Sequence, residues 1–202
     1  NLTLRNTAML GTPPAVLIEG SSSVLLQNLV IESGVGAAVR VQNTASPRIS
    51  DSQLRSQISS ALIVTQQAAG AYNNNRFYQS GEYGIRIDSR GEPEFSNNRV
   101  ELNERGGIAL ANNTRGIFTG NYIAENLSTG VLVSYSANPQ FVNNTIENNE
   151  QYGLQIFEQG RGTFEANTIT GHSLVGVLVR NGGAPIFNQN QILANQDGVQ
   201  FV

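Results

Sequence analysis

The stretch Pro139-Gln140-Phe141-Val142-Asn143-Asn144-Thr145-Ile146-Glu147-Asn148-Asn149-Glu150-Gln151-Tyr152-Gly153-Leu154-Gln155-Ile156 contains the plan of the whole chain. Its first half is Φ-x-x-Asn-x-Φ, in Phe141, Asn144 and Ile146, where Φ is apolar. Its second half is Gly-Φ-x-Φ, in Gly153, Leu154 and Ile156. Apolar residues two apart mark strands, and these runs are far too short for helices. The Asn and Gly clusters between them mark turns. The same line stands 23 residues earlier, in Phe118, Asn121, Ile123, Gly130, Val131 and Val133. It stands again one step before that, in Phe95, Asn98, Val100, Gly107, Ile108 and Leu110.

Along the chain, the first apolar slot gives the column Leu4, Leu26, Ile49, Tyr72, Phe95, Phe118, Phe141, Phe164 and Phe187. The first step is 22 residues and every later one is 23. A beat of about 23 residues suits one turn of a solenoid in which each strand pairs with its copy a turn later. Coils roughly 4.8 Å apart would make a rod about 40 Å long. The expected fold is all-β, a single-stranded parallel β-helix of about nine coils forming one domain over residues 1–202, irregular over 1–23 and regular over 24–202.

Polar columns follow the same beat. Three residues after the apolar slot come Thr7, Leu29 and Ser52, and then Asn75, Asn98, Asn121, Asn144, Asn167 and Asn190. A buried Asn is costly unless its amide is paired, and identical Asn side chains at strand spacing can bond along the stack. A second column runs Ser80, Asn103, Asn126, Asn149, His172 and Asn195. The Gly column is Gly84, Gly107, Gly130, Gly153, Gly176 and Gly198, with Ala38 and Ala61 in the earlier coils. It implies either positive φ or a close approach between coils. A double period overlies these columns: Pro47, Gly70, Pro93, Gly116, Pro139, Gly162 and Pro185 alternate two residues before the apolar slot.

These motifs resemble those of the right-handed parallel β-helix repeat proteins of the pectate-lyase-like superfamily. The family line, roughly P-x-I/F-x-x-N-x-I-x-x-N-x-x-x-G-I-x-V, matches residues 139–156 slot by slot. The resemblance is strong over 24–202 and weak over 1–23. It implies a right-handed coil, as does the crossover rule for parallel strands. It also brings in carbohydrate-binding and sugar-hydrolase-like domains, polysaccharide lyases and epimerases, and it favours an extracellular or periplasmic setting.

Composition narrows the function. Charged residues are 13% of the chain, the net charge is −3 and all twelve basic residues are Arg. That is too little positive charge for a phosphate-tracking groove, so nucleic acid is not an expected partner. There is no Cys, which removes thiolate metal sites and Cys nucleophiles. No apolar run is long enough to span a membrane as a helix. The chain opens inside the strand-like pattern Leu2-x-Leu4 and ends without a cap. Excision from a larger protein, with flanking domains or end-to-end self-association, is therefore expected.

Few residues remain for chemistry. His172 is the one His and is read as a ladder member. The sequons at Asn1, Asn112, Asn126 and Asn143 follow from an Asn-rich repeat, and Asn126 should point inward. Outward positions of the Gly-Φ-x-Φ strand form two columns. One is Arg40, Ile63, Arg86, Ala109, Leu132, Gln155 and Leu178. The other is Gln42, Thr65, Asp88, Ala111, Ser134, Phe157 and Arg180. From these, Arg86, Asp88, Tyr135, Gln155, Phe157 and Arg180 are the candidate ligand-binding residues. Phe157 is expected to be exposed between Tyr135 and Arg180 as a sugar-stacking patch, and Arg86 and Asp88 to form a surface ion pair. Glu101, Glu125 and Glu147 form an alternative acidic row with the spacing for two-carboxylate chemistry. No cofactor or metal site is expected. The preferred reading is a non-catalytic scaffold for a glycan or protein ligand. The alternative is a polysaccharide lyase or glycoside hydrolase using Arg86 or Arg180 with Asp88 or the Glu row.

Overall fold

A computed structural model describes residues 2–6 and 13–202, with side chains described over 13–202. The described strands lie in three parallel sheets with no helix. Sheet A runs from Leu2–Asn6 to Gln191–Leu193 and has nine strands. Sheet B runs from Val16–Ile18 to Asp197–Phe201, also with nine, and sheet C from Leu25–Gln27 to Ile186–Asn188 with eight. Each coil contributes one strand to C, then A, then B, so the chain makes about eight full turns, slightly fewer than the nine expected.

One coil shows why. Gln140–Val142 lies in sheet C and points Phe141 inward. Asn143 then takes φ 55°, the left-handed conformation that Asn tolerates better than most residues. Asn28, Asp51, Asn74, Asn97, Gly120, Ala166 and Gln189 bend the chain at the same point in other coils. The next residue, Asn144, turns its amide into the bend, and Thr145–Glu147 enters sheet A with Ile146 buried. Leu154–Ile156 completes the coil in sheet B.

Three inward stacks fill the interior. Sheet C stacks Tyr72, Phe95, Phe118, Phe141, Phe164 and Phe187 face to face, with centroids 4.3–5.4 Å apart. Burying each ring stabilises the fold by roughly 2–3 kcal/mol, and the stacking adds about 0.5–1.5 kcal/mol per pair. Tyr72, which opens the stack, satisfies its hydroxyl on the Ala69 carbonyl at 3.0 Å. Sheet A contributes Ile31, Leu54, Phe77, Val100, Ile123, Ile146 and Ile169. Sheet B contributes Leu62, Ile85, Ile108, Val131, Leu154 and Val177.

Both polar columns form as expected. Asn121 receives the Asn98 backbone N–H and Nδ2, each at 2.9 Å. It donates through its own Nδ2 to Asn144 Oδ1 at 2.9 Å and to the Phe95 carbonyl at 3.0 Å. Ser52 occupies the slot in an earlier coil and accepts the Leu29 N–H at 3.1 Å, while Thr7 lies outside the described residues.

Two readings change. Leu4 does not begin the aromatic column: its strand is in sheet A, where Leu4 is paired with Ile31, and Leu26 pairs with Ile49 in sheet C. Leu4 and Ile31 are 27 residues apart, four more than the beat. The Gly column is explained by close approach, since Gly107, Gly130, Gly153 and Gly176 have no positive φ. A Cβ on Gly130 would lie 2.7 Å from Asn149 Nδ2 and 2.7 Å from Ile146 Cγ2. The glycines of the Pro and Gly alternation are also crowded: a Cβ on Gly70 would lie 2.7 Å from the Pro47 carbonyl, and one on Gly116 2.9 Å from Phe118 Cε2.

Candidate functional site

The outer face of sheet B gathers most of the candidate residues. Its strands point inward the residues just named, so the intervening ones face out. Arg86 is paired in register with Ala109, then Leu132, Gln155 and Leu178 on successive coils. Chain ends of these strands carry Asp88, Ala111, Ser134, Phe157 and Arg180 into the turn towards sheet C.

Tyr135, Phe157 and Arg180 are brought together. The Tyr135 and Phe157 rings meet edge to face at 6.4 Å and 61°. The Arg180 guanidinium lies over the Phe157 ring at 5.3 Å. Phe157 is consequently half-buried, not exposed as expected, because Arg180 covers one of its faces. Tyr135 is the open aromatic, 56% exposed. Its backbone has φ 47°, in a turn slot held elsewhere by Asn43, Gln66, Asn112, Glu158 and Asn181 in the same conformation. An aromatic side chain has no local reason to occupy that slot.

Gln155 is 9% exposed, and its amide makes no hydrogen bond within the described residues. It lines a depression of about 330 Å³ together with Tyr83, Arg105, Leu132, Tyr152 and Arg180. Tyr83, Arg105 and Leu132 are shared with a second depression of about 310 Å³ that adds Arg86, Ala109 and Tyr135. Asp88 and Asn112 lead on to a third, of about 450 Å³, reaching Thr65, Gln66 and Arg90. The three depressions form a row along the coil axis. Its middle is a notch, since both outward residues of the strand Gly106–Leu110 and the turn after it, Ala109 and Ala111, are alanines.

Arg86 and Asp88 do not form the expected ion pair. Asp88 instead accepts the Asn112 Nδ2 at 2.9 Å, an acceptor–donor match one coil away. Arg86 is left exposed on the wall of the second depression, with no ion-pair partner among the described residues. Arg105 is held by Glu82 at 3.5 Å and lies 5.8 Å from the centroid of the Tyr83 ring. Tyr83, Arg105 and Tyr152 went unread in the sequence, and Ala109 and Ala111 were read only as members of the outward columns. The paired alanines in the two outward columns were the available signal for them.

The acidic row lies elsewhere, on the outer face of sheet A, and is divided. Glu101 pairs in register with Ala124, and Ala124 with Glu147, so these carboxylates stand two coils apart. Glu101 is 2% exposed and clasped by Arg76 at 2.6 Å and by Arg99. Those guanidinium groups lie over Tyr78 and Tyr122 at 4.4 and 4.5 Å. Glu147 accepts the Tyr122 hydroxyl, and this bond pushes the Tyr122 pKa up to about 12. Glu125 sits in a turn at φ 55° and donates its backbone N–H to the Glu147 carbonyl at 3.3 Å. The row is thus distributed over Arg and Tyr partners. Among the described residues no group of three or more His, Cys, Asp or Glu is placed to hold a metal ion, and no helix is long and apolar enough to cross a membrane. His172 and Asn126 are inside the ladder, 2% and 0% exposed.

Searches of curated proteins and of solved structures return no match. A family model described as a right-handed beta helix region matches residues 14–192. With the three parallel sheets and the stacked coils, this match makes the chain a member of the right-handed parallel β-helix family.

Proposed function

We propose that the protein is a non-catalytic β-helix scaffold that binds an extended glycan along the outer face of sheet B. The observation that carries this reading is the cluster of Tyr135, Phe157 and Arg180 beside this row of depressions. Aromatic rings cover the apolar faces of sugars, while a few fixed polar groups orient the hydroxyls. Tyr135 supplies the open ring. The free amide of Gln155 and the guanidinium of Arg86 supply the polar groups. The left-handed backbone at Tyr135 supports the same reading, because local strain held at a surface aromatic points to a use for that side chain.

The test is affinity electrophoresis against a panel of neutral and acidic polysaccharides, with Tyr135→Ala and Phe157→Ala as controls. At least one polysaccharide should retard the wild-type protein, and both variants should weaken the effect. No retardation by any of them overturns the reading. Release of reducing ends, or absorbance from an unsaturated product, would replace it with an enzyme. A companion prediction separates stability from binding. Tyr135→Asn places a residue suited to φ 47° in the turn. It should raise the stability to chemical unfolding by up to about 1 kcal/mol while binding falls.

A further inference from the structure

We infer that His172 is an acid-sensitive latch in the second polar column, which on protonation loosens residues 173–202 and with them Arg180 of the candidate site. The bearing on binding rests on the reading above; the latch itself does not.

The two rungs that precede His172's in this column are doubly bonded, whereas the rung after it has the His172 N–H on Asn195 Oδ1 at 3.0 Å. Asn103 gives its backbone N–H and its Nδ2 to Asn126 Oδ1 at 3.1 and 2.9 Å. Asn126 does the same to Asn149 Oδ1, at 3.1 and 2.9 Å. The rung from Asn149 to His172 has one bond, the Asn149 N–H to Nδ1 at 3.1 Å. The Asn149 Nδ2 is left with the Ile123 carbonyl at 3.3 Å. On the other side of the ring, Nε2 lies 3.2 Å from the Ile146 carbonyl.

These partners fix the tautomer. A backbone N–H can only donate, so Nδ1 carries the lone pair; a carbonyl can only accept, so Nε2 carries the proton. A second proton would have to enter at Nδ1, against the Asn149 N–H. The ring fills the space that Gly153 leaves free, since a Cβ there would lie 2.5 Å from Nε2. Burial accordingly holds the imidazole below the ordinary histidine range. Glu147, on the strand Thr145–Glu147, favours the proton but is engaged by Tyr122. Glu150, beside Asn149, and Asp197, on the last strand of sheet B, are exposed; Tyr152, before Gly153, is half-buried.

The sign follows. The opened chain, with an ordinary histidine pKa of about 6.5, binds the proton more tightly than the closed one. Opening is therefore favoured as pH falls below that value, and the closed rung is fully stable above it. The strand that follows the latch is Val175–Val179, which carries Arg180 over Phe157.

Hydrogen exchange read by mass spectrometry on the wild type and His172→Asn, at about pH 7.5 and about pH 5, tests this. Asn is the residue of the neighbouring rungs, so the variant retains the fold. After correction for intrinsic exchange, wild-type residues 173–202 should lose protection several-fold more than residues 95–147 on acidification. The variant should not show this excess loss. No excess loss in the wild type, or the same loss in both proteins, overturns the latch. No ligand enters the measurement, so it stands or falls separately from the glycan panel.

Discussion

Asn121→Ala should destabilise the protein by about 3–5 kcal/mol, seen as a lower denaturant midpoint with an unchanged slope. The side chain is 2% exposed and takes part in four hydrogen bonds. Truncation removes all four and leaves the Asn98 N–H and the Phe95 carbonyl buried without those partners. Unmet buried groups cost more than a lost bond between exposed ones, which places the effect well above a typical surface change. Asn121→Asp sharpens the point. The carboxylate still accepts from Asn98 but faces Asn144 Oδ1 and the Phe95 carbonyl with no proton to give. It should be at least as damaging at neutral pH and partly relieved by acid. A loss below about 1 kcal/mol for Asn121→Ala would mean that the column contributes little to stability.

Gly130→Ala should cost about 2–3 kcal/mol by overpacking, because the new Cβ meets Asn149 Nδ2, Ile146 Cγ2 and the Gly153 carbonyl, each at 2.7 Å. The same pairing explains where the Gly column gives way to Ala. Gly84, Gly107, Gly130 and Gly176 each face an Asn of the next coil, whereas Ala61 stands at the position that faces Ser80. The smaller ladder residue leaves space for a methyl group. Adding Asn149→Ser to Gly130→Ala should therefore cost less than the sum of the two single changes, by about 1–2 kcal/mol in a double-mutant cycle. Strict additivity would refute the pairing.

The fold was legible because each column repeats at the interval of one coil, and any slot is read several times over. Leu4 was misplaced where that redundancy ends: it pairs with Ile31, 27 residues on, and no beat shows so long a first coil. At the site, facing was legible and contact was not. The proximity of Tyr135, Phe157 and Arg180 follows from alternation along the strands, but the covering of Phe157 depends on where Arg180 lays its guanidinium. Arg86 and Asp88 stand two residues apart in sequence, yet Asp88 takes a partner 24 residues away. The acidic row contained its own correction: its steps of 24 and 22 residues place Glu125 one residue off the beat and into a turn.

The alternation of Pro and Gly sets the unit in which this rod can be edited. Loss of one coil, such as residues 94–116, would bring the Pro93 and Pro139 coils together. Pro93, joined to Ile117, would then stand in the place of Gly116, where a Cβ would lie 2.9 Å from Phe118 Cε2. Loss of residues 94–139 instead joins Pro93 to Gly162 and keeps the order. Insertions and deletions that shorten or lengthen the solenoid should therefore be tolerated in pairs of coils, so that its length behaves as an even-numbered quantity.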